Sequence, residues 1–90
     1  MYNFEYHNQY IKDIKLCVKR NYNIQLLKDI LTQIETTGTV PAKNKPHKLE
    51  GNYNGFWECH IKADWLLIWD INEPQKTATL VRTGTHSDLF

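Results

Sequence analysis

Residues 55–71, GFWECHIKADWLLIWDI, hold two runs rich in aromatic and β-branched side chains, Gly55–Ile61 and Asp64–Ile71, with only Lys62 and Ala63 between them. Such composition predicts strands, and so short a connection joins only antiparallel neighbours. A third run, Lys76–Arg82 (KTATLVR), follows the turn Asn72-Glu73-Pro74-Gln75 and extends the meander by one strand. Working back from Gly55, the stretch Thr39–Lys48 (TVPAKNKPHK) carries two prolines, three lysines and no apolar period, and is expected to be an exposed connection.

Before that connection the period changes from two to about three and a half. Ile24, Leu27, Ile30, Leu31 and Ile34 mark one amphipathic helix that stops at Thr36-Thr37-Gly38. Tyr10, Ile11, Ile14, Cys17 and Val18 mark another over Gln9–Arg20, after Asn8 as its cap and with Lys12, Asp13, Lys15 and Lys19 mostly on the far side. Residues 2–6 (YNFEY) alternate aromatic and polar side chains as a short strand does. The expected fold is therefore α+β, in the order βααβββ, with a mainly antiparallel sheet packed against an N-terminal helical hairpin.

Ninety residues, 41% of them apolar, suffice for one core, so residues 1–90 are read as a single domain. No apolar run reaches the roughly 18 residues that cross a bilayer, and MYNFEYHNQY lacks the order of a signal peptide. The expectation is a cytoplasmic protein without a membrane partner. Two cysteines, Cys17 and Cys59, are too few for a disulfide framework, and no CxxC pair is present. Residues 1–48 hold eight Lys or Arg against four Asp or Glu, while 49–90 hold three against six, so the first half is the basic one.

Imidazole exchanges protons near neutral pH, and three of the four histidines stand in chemically suggestive places. His47 lies among the lysines of the connection, His60 ends a strand, and His86 follows the last strand. Asp64 would meet His60 at one end of the hairpin, where an acid can orient an imidazole. Arg82 offers two-point binding of a phosphate before Thr83-Gly84-Thr85. The spacings of His47, His60, Asp64 and His86 match no compact zinc motif, and P-loop, GxGxxG and GxSxG patterns are absent. Most of the aromatic side chains are assigned to the core, and Phe90 is expected to close over a groove lined by His86.

HKLEGNYNGFWECHIKADWLLIWDI with LVRTGTHSDLF resembles the YafQ branch of the RelE/ParE superfamily of bacterial toxins from type II toxin-antitoxin modules. The likeness spans the whole chain, including YHNQYIKDIKL and the order of elements. Its most specific parts are His47-Lys48-Leu49-Glu50-Gly51, Glu58-Cys59-His60 with Asp64-Trp65, and Arg82-Thr83-Gly84-Thr85-His86 with Leu89-Phe90. The resemblance implies a small RelE-like fold and an mRNA interferase, a ribonuclease that cuts mRNA in the ribosomal A site and halts translation. It implies catalytic roles for His47, His60, Asp64, Arg82, His86 and Phe90, and RNA or ribosome contacts by Lys43, Lys45, Lys48 and Trp65.

The implied reaction needs no metal or other cofactor: a base takes the proton of the RNA 2′-hydroxyl, the oxygen attacks phosphorus, and an acid protonates the leaving 5′-oxygen. His86 is the expected acid and Arg82 the expected charge stabiliser. Asp64, His60 and His47 all remain open as the base. Implied partners are a cognate antitoxin, the 70S ribosome with its A-site mRNA, and operator DNA only through the antitoxin complex. Departures from the family pattern are Trp57, where many relatives carry arginine, Ala63 in place of a frequent proline, and Trp69 in place of tyrosine. The competing readings are a non-enzymatic, ParE-like toxin that binds DNA gyrase, which gives no reason for His47, His60, Asp64 and His86 to occur together, and a decayed copy that only binds antitoxin, for which Trp57 is the only hint.

Overall fold

WLLIW at 65–69 is an unbroken apolar run, and a strand can be apolar on successive residues only if both its faces are covered. In the computed structural model, which describes residues 1–90, all five of these residues are buried at the centre of a five-stranded sheet. The strands are β1 (Asn3–Tyr6), β2 (His47–Lys48), β3 (Trp57–Lys62), β4 (Trp65–Asn72) and β5 (Thr77–Gly84), in the spatial order β1-β5-β4-β3-β2. β2, β3, β4 and β5 pair antiparallel, and β1 joins the far edge parallel to β5.

One face carries the helical hairpin, α1 (Asn8–Lys19) and α2 (Ile24–Thr37). Cys59, Ile61, Trp65, Leu67, Trp69, Ala78 and Leu80 meet Tyr10, Cys17, Leu27, Ile30 and Ile34 there in the main core. Asn23 caps α2 by accepting from the Gln25 N–H at 3.1 Å, and Gly38 ends it in the left-handed conformation at φ +81°. A side chain at Gly38 would meet the Tyr2 ring at 2.9 Å, so close packing as well as backbone geometry calls for glycine. Trp69 is fully buried, and its indole N–H donates to the Gly38 carbonyl at 3.2 Å.

The opposite face is partly covered too. Leu66, Ile68 and Val81 pack beneath Leu89 of a terminal helix, α3 (His86–Leu89), and against Leu49, Tyr53 and Phe56. The βααβββ expectation thus gains two elements, β2 and α3. Residues 39–48 are not wholly an exposed connection: Val40 is buried, Ala42–Asn44 form one 3₁₀ turn, and His47–Lys48 pair with β3. The β3–β4 turn is Ala63-Asp64 rather than Lys62-Ala63, because Lys62 pairs with Trp65. Ala63 accordingly takes φ +44°, a conformation closed to proline.

Candidate active site

Directly opposed residues of paired strands share a face. The register places His47 beside Glu58, Glu58 beside Ile68, and Ile68 beside Arg82, a row across the face away from the helical hairpin. The next row is His60, Leu66 and Gly84, with His86 just beyond. A bulge makes this possible. Ile68 pairs with Arg82 but Trp69 with Leu80, so Val81 is unpaired and Arg82 returns to the face that strict alternation would deny it.

Arg82 is held from several sides. Its Nε and Nη2 donate to the two oxygens of Asp13 at 2.7 and 3.1 Å, and Nη1 donates to the Tyr53 hydroxyl at 3.3 Å. Asp13 is 6% exposed and also accepts the Thr83 backbone N–H at 3.1 Å. Asp13 foremost, then Tyr53, outweighs burial and raises the guanidinium pKa. Arg82 is a cation whenever the protein is folded.

Phe90 lies between Tyr53, edge-on at 5.7 Å between ring centres, and His86 at 5.1 Å. α3 brings these residues into place. Thr85 and Asp88 form a reciprocal capping box, and Arg20 at the end of α1 grips the Asp88 carboxylate at 2.6 and 3.1 Å. Gly84 at φ +154° precedes the cap, and a Cβ there would sit 2.8 Å from Asp88 Oδ2. The backbone N–H of His86 donates to Asp64 Oδ1 at 2.9 Å, while its ring is exposed with neither nitrogen engaged by the protein.

His60 and Asp64 come to one end of the hairpin as expected, but they do not hydrogen-bond to each other. His60 Nδ1 lies 3.0 Å from the Ala63 carbonyl, and a carbonyl only accepts, so Nδ1 carries the proton. In the neutral ring the lone pair is then on Nε2. His47 differs: Nδ1 faces the Lys45 carbonyl at 2.9 Å and Nε2 the Glu58 carboxylate at 3.1 Å, so both nitrogens meet acceptors. Glu58 is buried, and its second oxygen has no partner.

The cationic residues divide between the faces. Lys43 and Lys45 border a cleft of about 590 Å³ together with Lys62 and His60, and Asn44 ties their turn to β3 by donating to the His60 carbonyl at 2.8 Å. Lys48 lies elsewhere, its ammonium 5.5 Å from the centre of the Trp57 ring, which stacks on Trp69. Trp65, expected to touch RNA, is 6% exposed, donates its indole N–H to Thr83 Oγ1 at 2.9 Å and packs against Tyr22. It braces β5 from within, because a buried ring has no open face on which a base could stack.

Sequence reasoning missed Asp13, Arg20, Tyr53, Glu58 and Asp88. A signal existed for two of them: Asp13 is three residues after Tyr10 and four before Cys17, within the buried stripe of α1, and Arg20, exposed, is three beyond Cys17 and in line with that stripe.

A sequence match to the family described as "Bacterial toxin of type II toxin-antitoxin system, YafQ" runs from residue 2 to residue 90. The chain belongs to the YafQ family. It is 40% identical over 87 residues to the mRNA interferase toxin YafQ of Escherichia coli K12, covering 96% of this chain and 92% of that protein. The crystal structure of a histidine-to-glutamine mutant of E. coli YafQ superimposes with a TM-score of 0.91 at 35% identity, covering 100% of this chain and 99% of that one. YafQ in the E. coli DinJ–YafQ toxin-antitoxin complex matches at TM-score 0.87 and 39% identity, over 99% and 97% of the two chains. A metal-bound toxin from Helicobacter pylori matches at 0.91 and 37% identity, over the whole of both chains. The YafQ fold is thus the fold of this chain, and the small α+β reading is borne out.

Proposed function

We propose that this protein is the toxin of a type II toxin-antitoxin pair and an mRNA interferase that cuts mRNA in the ribosomal A site. Family membership and the named activity of its 40% identical relative support the toxin and endoribonuclease parts of that reading. The observation that carries the chemistry is the gathering of Arg82, His60, His86 and Phe90 on one face of the sheet.

His60 is the base. Its Nδ1 proton is committed to Ala63, which leaves Nε2 to take the proton of the RNA 2′-hydroxyl. His47 has both nitrogens occupied and Asp64 holds the His86 backbone, so each arranges the site instead. The deprotonated oxygen attacks the adjacent phosphorus, Arg82 stabilises the charge gathering on the phosphate oxygens, and His86 protonates the departing 5′-oxygen. Phe90 offers a ring against which a base flanking the cut can stack. DNA lacks the attacking hydroxyl and is not cut.

An antitoxin is the expected protein partner, as DinJ is for the YafQ of E. coli, and operator DNA is expected only through such a complex. No helix is long and apolar enough to cross a membrane, and the proposed ribosomal substrate supports reading the protein as one of the bacterial cytoplasm. The test is incubation with programmed ribosomes and mapping of mRNA ends, with naked RNA, EDTA and His86→Ala in parallel. Cuts at A-site codons that survive EDTA and vanish in the variant are expected. Intact mRNA with wild-type protein overturns the reading.

A further inference from the structure

We infer that Asp13, on the second turn of α1, is a positioning residue for RNA cleavage: it selects which edge of the Arg82 guanidinium meets the phosphate. This role rests on the cleavage reaction proposed above.

A guanidinium has two edges that can fork onto an oxyanion, the Nε–Nη2 edge and the Nη1–Nη2 edge. Asp13 occupies the first through contacts of 2.7 and 3.1 Å. It is buried, so these contacts work in a medium that screens them weakly. Its Oδ2 also accepts the Thr83 N–H at 3.1 Å, which fixes the carboxylate to the strand segment that carries Arg82. Gln9 adds a longer contact to Oδ1 at 3.3 Å. What remains for the substrate is the Nη1–Nη2 edge, whose own protein contacts, Nη1 to the Tyr53 hydroxyl at 3.3 Å and Nη2 to the Asp88 carbonyl at 3.5 Å, are long and readily exchanged.

The bulge adds to the need for such a clamp. An arginine after an unpaired residue has a backbone less constrained than one in a regular ladder. Asp13 contacts both the side chain of Arg82 and the backbone of Thr83, and so fixes the direction of the side chain. Replacing it by asparagine keeps the shape but puts an amide N–H group where the guanidinium needs an acceptor. Arg82 is then free to swing, and misplacement by about an ångström costs on the order of 10²-fold in rate.

The experiment is a double-mutant cycle in single-turnover cleavage on programmed ribosomes, with Asp13→Asn, Arg82→Ala and the double variant, each checked for folding by urea denaturation. The expected result is a rate at saturating ribosomes reduced by about 10²-fold in Asp13→Asn, a half-saturating ribosome concentration within a few-fold of wild type, and no further loss when Asp13→Asn is added to Arg82→Ala. Equal loss in both backgrounds, or wild-type cleavage by Asp13→Asn, overturns the inference. If Asp13→Asn does not fold, Asp13→Glu, which keeps the charge and displaces it, is read by the same two criteria. A wild-type protein that cuts nothing overturns the cleavage reading instead, and the two failures are thereby distinguished.

Discussion

Arg20, at the end of α1, and Asp88, in α3, are joined by two contacts of 2.6 and 3.1 Å across 68 residues of sequence. This contact fastens the helix that begins at His86 and leads into Phe90 to the body of the protein. Arg20 first, then the Thr85 backbone N–H, holds the Asp88 carboxyl well below the usual carboxylate range. A lowered folded value means the contact stabilises fully above about pH 4, the ordinary aspartate value, and is lost as pH falls below it toward the folded value. Asp88→Asn should therefore unfold at lower urea than wild type at pH 7, and the gap should narrow by roughly pH 3. A gap that widens in acid would contradict this assignment.

Two backbone positions beside the site carry opposite expectations. Gly84→Ala forces a side chain onto the Asp88 carboxylate at φ +154°, and should cost about 1–3 kcal/mol in urea denaturation. Ala63→Gly relieves a left-handed alanine at φ +44° and should be neutral or stabilise by up to about 1 kcal/mol. The Ala63 carbonyl that orients His60 is retained, so cleavage by Ala63→Gly should persist.

Much of this architecture could be read from the residues themselves. The helical hairpin and the meander follow from a change of hydrophobic period near residue 39, and Asn23 and Gly38 end α2 for local reasons that any reader of sequence can find. Pairings between distant segments could not be read in this way. β2 is two residues long and exists only because β3 offers an edge, and the parallel alignment of β1 on β5 depends on how α1 returns across the sheet.

The candidate site divides along the same line. His47, His60, Asp64, Arg82, His86 and Phe90 can be selected by chemistry and by resemblance. Strict alternation, however, turns Arg82 away from His60, and the bulge at Val81 that corrects this leaves no trace in composition. Trp65 is an RNA contact only by resemblance, and as the first residue of β4 it turns into the main core, while Asp64 stays in the turn before it. Asp13 reads as one more solvated charge until its place on the buried stripe of α1 is known.

Both thiols are free and buried, and they report on the integrity of the main core. Burial, with a smaller contribution from Glu58, pushes the Cys59 thiol up to about 12, and burial also raises Cys17. At pH 8 neither should form the thiolate that reacts with a maleimide. Mass spectrometry should find no adduct on the folded protein and two adducts in urea. Rapid labelling of the folded protein would show that the sheet and helices part more often than the packing implies.

Lys43 and Lys45 border the cleft that reaches His60, and the RNA contacts that the resemblance implies for them are of the kind that salt screens. Replacing both by glutamine should weaken ribosome binding at low salt and reduce the slope of log affinity against log salt by about 1.5. The cleavage rate at saturation should stay near wild type, because neither lysine contacts Arg82, His60 or His86 through its side chain. An unchanged slope would mean that other cations make the phosphate contacts.

The parallel pairing of β1 with β5 places Asn3 opposite Thr77, a segment made earlier beside one made much later. Asp13 must likewise wait for Arg82, and Arg20 for Asp88. A nascent polypeptide can curl its helical hairpin early, but it cannot assemble the candidate site until residues 82–90 are free to pack on it. Long-range closure thus sets an order in time: the contacts that aim Arg82 and anchor α3 form only after segments made far apart in synthesis have met.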